Sequence, residues 1–217
     1  MKALMGMALA AGLAMAGAAD AATITYDFGS ATGNLGTSHT YVSSGLSIIA
    51  TGYDQTGATT DFFAKNNGGD EVGIGLANDP TGENEIHLDS GFVQLDVSGL
   101  FGRADPSATY FSTNSTTGGE EWAVFGSNTA GVHGSSPLLT GTSETSHLLP
   151  GLGSYKYYDF VESNFTAGQG NNFLIHQLTT AGVPEPASWA MMLIGFGGLG
   201  ATLRSRRRHA GATAQAC

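Results

Sequence analysis

Between Ala22 and Leu178 the chain is a series of short runs in which apolar and polar residues alternate, each closed by a cluster of Gly, Asn, Ser or Thr. Alternation with period two is the pattern of a strand with one buried and one wet face. Ala22–Phe28 sets Ile24, Tyr26 and Phe28 against Thr23, Thr25 and Asp27. Further runs lie at Leu46–Thr51, Asp61–Ala64, Glu71–Leu76, Glu85–Leu88, Phe92–Val97, Ala108–Ser112, Trp122–Ser127, Tyr155–Val161 and Asn172–Leu178. Asn66-Asn67-Gly68-Gly69, Asn114 to Gly119 and Gly131 to Ser136 are turn-rich separators. No apolar pattern at helical spacing is sustained among them, and no fixed period suggests a solenoid. The pattern predicts an all-β domain over 22–182, an antiparallel β-sandwich or jelly-roll-like fold.

Charge is sparse and unevenly placed. Charged residues make up 12% of the chain, about half the usual share. Of the 18 acids only Asp20 and Glu185 lie outside 22–183, and of the 8 bases only Lys65, Arg103 and Lys156 lie inside it, a net charge of −13 for that interval. Such a domain repels nucleic acid and anionic lipid and attracts cations, so no nucleic-acid partner is expected. Cys217 is the only cysteine, so no disulfide can staple the domain.

The two ends read as export signals. Lys2 precedes an uncharged stretch from Ala3 to Ala18, and Ala19-Asp20-Ala21 places small residues where a signal peptidase reads them. Residues 1–21 are therefore expected to be an N-terminal signal helix, directed to the Sec export machinery and cleaved after Ala21; an uncleaved anchor is the alternative. Near the other end, Val183-Pro184-Glu185-Pro186 interrupts regular structure, because proline lacks a backbone donor and biases its predecessor toward extended conformations. The uncharged stretch 187–203 follows, and its length suits a short transmembrane helix with Trp189 as an interface anchor. Arg204, Arg206, Arg207 and Arg208 then form a basic stop that stays cytoplasmic under the positive-inside rule, together with the tail 209–217. That orientation puts the β-domain outside.

Pro184-Glu185-Pro186, Trp189-Ala190, the glycine-rich apolar stretch and the arginine cluster together resemble the PEP-CTERM sorting signal in its PEPxxWA variant, over 183–208. The resemblance implies export in a Gram-negative bacterium that makes exopolysaccharide, transient anchoring in the inner membrane, and recognition of the Pro-Glu-Pro region by an exosortase. It implies a destination at the cell surface or in the extracellular matrix, in association with exopolysaccharide or biofilm. A plain tail anchor is the alternative.

Within the β-domain the densest polar chemistry lies at Lys65 to Glu71 and at Asn78 to Glu85. Oxygen-bearing side chains on glycine-rich loops suit a hard cation, which makes Asp70, Glu71, Asp79, Glu83 and Glu85 the candidates for a structural calcium; two solvated acidic loops are the alternative, and otherwise no cofactor is expected. On a strand Glu83, Glu85, His87 and Asp89 would share one face with Ile86 and Leu88 on the other, which reads as a wet sheet face or as a metal or sugar site. Trp122, Tyr155 and Tyr157 are the candidates for a carbohydrate platform, Tyr155 and Tyr157 on one strand face, although a core uses the same residues. No G-x-S-x-G, H-E-x-x-H, P-loop or dinucleotide fingerprint occurs. His39, His87, His133, His147 and His176 are scattered, and Glu120 and Glu121 are adjacent, hence on opposite faces of a strand. A non-catalytic surface protein is the leading expectation, followed by a calcium- or carbohydrate-binding adhesive module and a hydrolase of matrix polymer.

Overall fold

The computed structural model describes residues 21–116, 119–163, 172–183 and 192–204. From Ala22 to Val183 the described chain forms one compact unit built of two antiparallel sheets. The first sheet has eight strands among the described residues. Its hub is β15 (Asn172–Gly182), which pairs with β1 (Thr23–Asp27), β10 (Ala104–Asn114), β7 (Val72–Leu76) and β8 (Ile86–His87). Beyond β7 lie β6 (Phe62–Asn66) and the two-residue β2 (Gly33–Asn34), and β13 (His147–Leu148) borders β10.

The second sheet has seven strands among the described residues. Its spatial order is β12 (Leu139–Gly141), β11 (Trp122–Ser127), β14 (Tyr157–Glu162), β9 (Phe92–Asp96), β4 (Leu46–Tyr53) and β3 (Ser38–Ser43), with β5 (Thr59–Thr60) on the end of β4. A single 3₁₀ turn at Ser98–Leu100 follows β9.

The inner faces of both sheets share one core. Alternation decides what β4 contributes: Leu46, Ile48 and Ala50 are buried while Ser47 and Ile49 are exposed. Edge-to-face ring contacts join the sheets, Phe111 on β10 meeting Trp122 on β11 and Phe160 on β14, each at 5.2 Å. Such pairs add about 1 kcal/mol beyond their burial.

Both sheets are also partly covered on their outer faces, and the sequence marks where. On β7, Gly73 and Gly75 carry no side chain, and a Cβ at Gly75 would stand 2.3 Å from the carbonyl oxygen of Asn84. The segment leading into β8 therefore lies directly across the sheet at Gly75. On β9 four successive residues, Phe92 to Leu95, are buried because the β11–β12 connection packs over the outer side.

The domain closes on itself at its ends. The Gly182 amide donates to the Ala22 carbonyl and the Val183 amide to the Arg103 carbonyl, both at 2.8 Å. First and last strands are thus neighbours, with Thr23 opposite Ala181.

A helix, α1, covers residues 192–204, about 20 Å long. Met192, Leu193, Ile194, Phe196 and Leu203 are all exposed on it. Among the described residues no helix is long and apolar enough to cross a membrane. The first part of the expected span, 187–191, lies outside the described residues, as do the signal segment 1–20, the Pro-Glu-Pro motif and Arg206 to Arg208.

Candidate functional site

Lys65 organises the polar residues that the sequence set apart. It sits on the outer side of β6, where the glycines of β7 leave room for a long side chain beside the segment 83–85. Only 6% of it is exposed. Its Nζ donates to Oε1 of Glu85 at 2.7 Å, pairs with Glu71, and stands 3.6 Å from Oε2 of Glu83. Glu85, 2% exposed, also accepts the Ser115 hydroxyl on both oxygens, at 3.0 and 3.1 Å.

One ammonium thus faces three carboxylates, two of which reach solvent. Removal from water lowers the basicity of Lys65, but the hydrogen bonds and charges of Glu71 and Glu85 more than compensate, so its pKa is raised and it stays charged. Glu85 goes the other way. Burial pushes it up to about 7, Lys65 and Ser115 oppose that shift, and the charge of Glu71 adds to it. Glu85 therefore holds a proton far more readily than an exposed glutamate does.

The five residues expected to hold calcium do not converge on an open point. Glu71, Glu83 and Glu85 come together on a cation that the chain itself supplies. Asp79 stands apart as a loop cap, accepting the Thr81 amide and hydroxyl at 2.9 and 2.7 Å and the Glu85 amide at 3.1 Å. Asp70 is exposed at the turn between β6 and β7. Among the described residues no three His, Cys, Asp or Glu side chains are placed to hold a metal ion. The expected wet face of Glu83, Glu85, His87 and Asp89 is also corrected: Asn84 takes φ +60°, β8 keeps only Ile86 and His87, and Glu85 turns inward.

The aromatic residues separate as well. Trp122 has 0% exposure, its indole N–H donating to the Ser143 carbonyl at 3.1 Å, so no ring face is left for a sugar. Tyr155 precedes β14 rather than lying on it, and packs against the core beside Tyr158. Tyr157 is half-buried on the outer face, with the Lys156 ammonium 4.8 Å from its ring centre. The three do not form a strip.

Sequence reasoning missed Asp159 and Gln94. Both lie on the outer face of the second sheet, paired in register across β14 and β9. Asp159 is 0% exposed. Its Oδ1 accepts the Gln94 amide at 2.7 Å and its Oδ2 has no hydrogen-bond partner. Burial pushes its pKa up to about 7, with the Gln94 hydrogen bond opposing. A charged residue inside Tyr157-Tyr158-Asp159-Phe160-Val161 was the available signal.

Two clefts of about 410 Å³ flank the short β2–β6 edge. One is lined by Thr32, Phe63, Lys65, Asn66, Asn67 and Asn84 among others, the other by Thr37, Thr59, Thr60, Asp61, Ala77 and Asn78. The second presents mainly hydroxyls and amides, whereas the first mixes amides with apolar surface from Phe63 and Ala64.

The comparisons with known proteins bear on the C-terminal segment. No curated protein and no solved structure matches the chain. The family model of the PEP-CTERM protein-sorting motif matches residues 182–208. The match begins at Gly182, where β15 ends, so the motif follows the sandwich without a spacer. It contains Pro184, Glu185, Pro186, Trp189, Ala190 and the four arginines named above. The chain is therefore a carrier of the PEP-CTERM sorting motif, the mark of an exported, membrane-anchored precursor processed by an exosortase.

Proposed function

We propose that the sandwich is the working part of a non-catalytic surface or matrix protein that remains with exopolysaccharide after sorting. The observation that carries this reading is the sorting motif placed directly after the last strand of a self-contained β-domain. The engagement of the acids around Lys65 supports the non-catalytic half. Glu71 and Glu85 are tied to Lys65 and Asp79 caps its own loop, whereas a glycosidase needs two carboxyl groups facing one bond about 5–10 Å apart.

A carbohydrate-binding role is favoured over a merely passive one by the two clefts beside the β2–β6 edge. Asparagine amides, threonine hydroxyls and one phenylalanine ring are groups that meet sugar hydroxyls and ring faces. The net charge of −13 points to a neutral polymer, since an acidic one would be repelled.

The test compares the native host with a strain that makes no exopolysaccharide. The protein is expected in the matrix fraction of the first and free in the medium of the second. Equal retention in both strains would count against association with the polymer.

A further inference from the structure

The outer face of the second sheet carries a buried acid where a sandwich ordinarily meets water. In register across β4, β9, β14 and β11, the row Thr51, Gln94, Asp159, Phe125 lies between the row Tyr53, Phe92, Val161, Ala123 and the row Ile49, Asp96, Tyr157, Ser127. The β11–β12 connection folds back over the centre of this grid. His133 lies against Phe92 and Phe125, at 5.7 and 5.2 Å between ring centres, and a Cβ at Gly131 would stand 3.0 Å from the Tyr53 ring.

Ser127 and Asn128 hold the start of the connection, and Gln94 holds it over the centre of the sheet. The Gln94 carboxamide oxygen accepts the Gly131 amide at 3.2 Å, and its nitrogen donates to Thr129 carbonyl at 3.4 Å and to Asp159 Oδ1 at 2.7 Å. Gln94 therefore ties the strap above it to the acid beside it. We propose that Asp159 and Gln94 form a proton-controlled latch, closed over the outer face of the second sheet when Asp159 is protonated and released when it ionises.

The physical argument concerns the unpartnered oxygen. A neutral carboxyl leaves a modest deficit at Oδ2, but a carboxylate there needs solvation that no neighbour supplies. The groups facing Asp159 do not relieve it. Tyr53 on β4 and Tyr157 on β14 are phenols, and Tyr53 is raised by burial first and then by the charges of Tyr157 and Asp159. His133 on the strap is engaged with two aromatic rings. The nearby ion pair, Lys156 with Asp96 at 3.4 Å, lies one row away and is self-compensating. Water reaches Oδ2 only if the strap lifts.

The sign follows from the raised value of about 7. An acid whose pKa is higher closed than open favours the closed state fully below its ordinary range near pH 4. That advantage is lost progressively as pH rises to about 7 and is constant above. The latch is thus shut in acidic surroundings and loosened at neutrality.

Hydrogen exchange on the full chain in detergent tests this, with rates corrected for intrinsic pH dependence. Protection of the Gly131 amide is expected to fall on the order of a hundredfold between about pH 4.5 and 7.5. The Leu138 amide, bonded to the Val124 carbonyl at 2.8 Å at the far end of the same connection, serves as reference. Asp159→Asn should flatten the Gly131 profile, and His133→Gln should leave the fall in place. Parallel behaviour of Gly131 and Leu138, or a fall that survives Asp159→Asn or disappears in His133→Gln, overturns the latch. If Asp159→Asn does not fold, the Asp159 carboxyl carbon of the wild-type chain decides by NMR. A midpoint near neutrality, tracked by Gly131, supports the proposal, and a midpoint in the ordinary carboxylate range overturns it.

Discussion

Trp122→Ala is expected to destabilise the sandwich by about 4 kcal/mol, a loss comparable to the whole stability of many domains. The indole is fully buried between Phe111 and His147, with ring centres 5.2 and 4.7 Å away. Gly141 on the neighbouring strand exists as glycine because the ring passes 2.5 Å from where its Cβ would be. Alanine would leave a large cavity between the sheets and would remove the indole N–H from the Ser143 carbonyl, which the Thr113 hydroxyl also reaches at 3.3 Å. The midpoint of chemical denaturation, followed by circular dichroism, measures the effect. A variant as stable as the wild type, with weakened binding to polysaccharide, would instead return Trp122 to a carbohydrate platform.

Lys65→Ala is expected to cost about 3 kcal/mol, the low end for breaking a buried ion pair, since Glu71 and Glu83 are partly exposed and screened. The residual penalty falls on Glu85, which is left buried without its cation. It escapes by holding its proton, so the deficit should grow as pH rises through neutrality. The double variant Lys65→Met with Glu85→Met removes both charges and keeps the volume, and should recover to within about 1 kcal/mol of the wild type. If the double variant is as unstable as the single one, the ion pair is not the source of the loss. Calcium gives a separate check: a melting temperature that rises with calcium in the wild-type chain would mean that the carboxylates serve a metal rather than Lys65.

The strands legible in the sequence are those long enough to carry a run of core-facing apolar residues. β1, β4, β6, β7, β9, β11 and β14 all lie where period two placed them, within two residues. β3 was not visible because Tyr41 alone is buried among its six residues. Its signal was the turn that follows, where Ser44 and Gly45 take φ +51° and +75°, the two left-handed residues of a tight hairpin. β2, β5 and β13 are two-residue pairings, too short to carry any period.

The site was legible as a neighbourhood and not as an arrangement. Lys65, Glu71 and Glu85 stood out as a polar concentration, but the sequence did not show that a lysine would satisfy the carboxylates. The strand pattern through Glu83 to Asp89 misled because the left-handed Asn84 breaks the alternation that the inference assumed. Asp159 and Gln94 are brought together by register between β9 and β14, a long-range pairing with no local trace. The sorting motif is the opposite case. Its elements follow one another along the chain, so the order of residues alone was enough.

On the function proposed above, the sandwich is exported and then cut from its sorting tail by the exosortase. Intact mass and cell fractionation in the native host, with and without its exosortase, test it directly. The expected result is a mature species that begins near Ala22, ends near Pro184 and lies outside the inner membrane, and that gives way to a tailed, inner-membrane form when the exosortase is removed. A tailed form in the inner membrane of both strains would contradict it and leave an ordinary anchored protein.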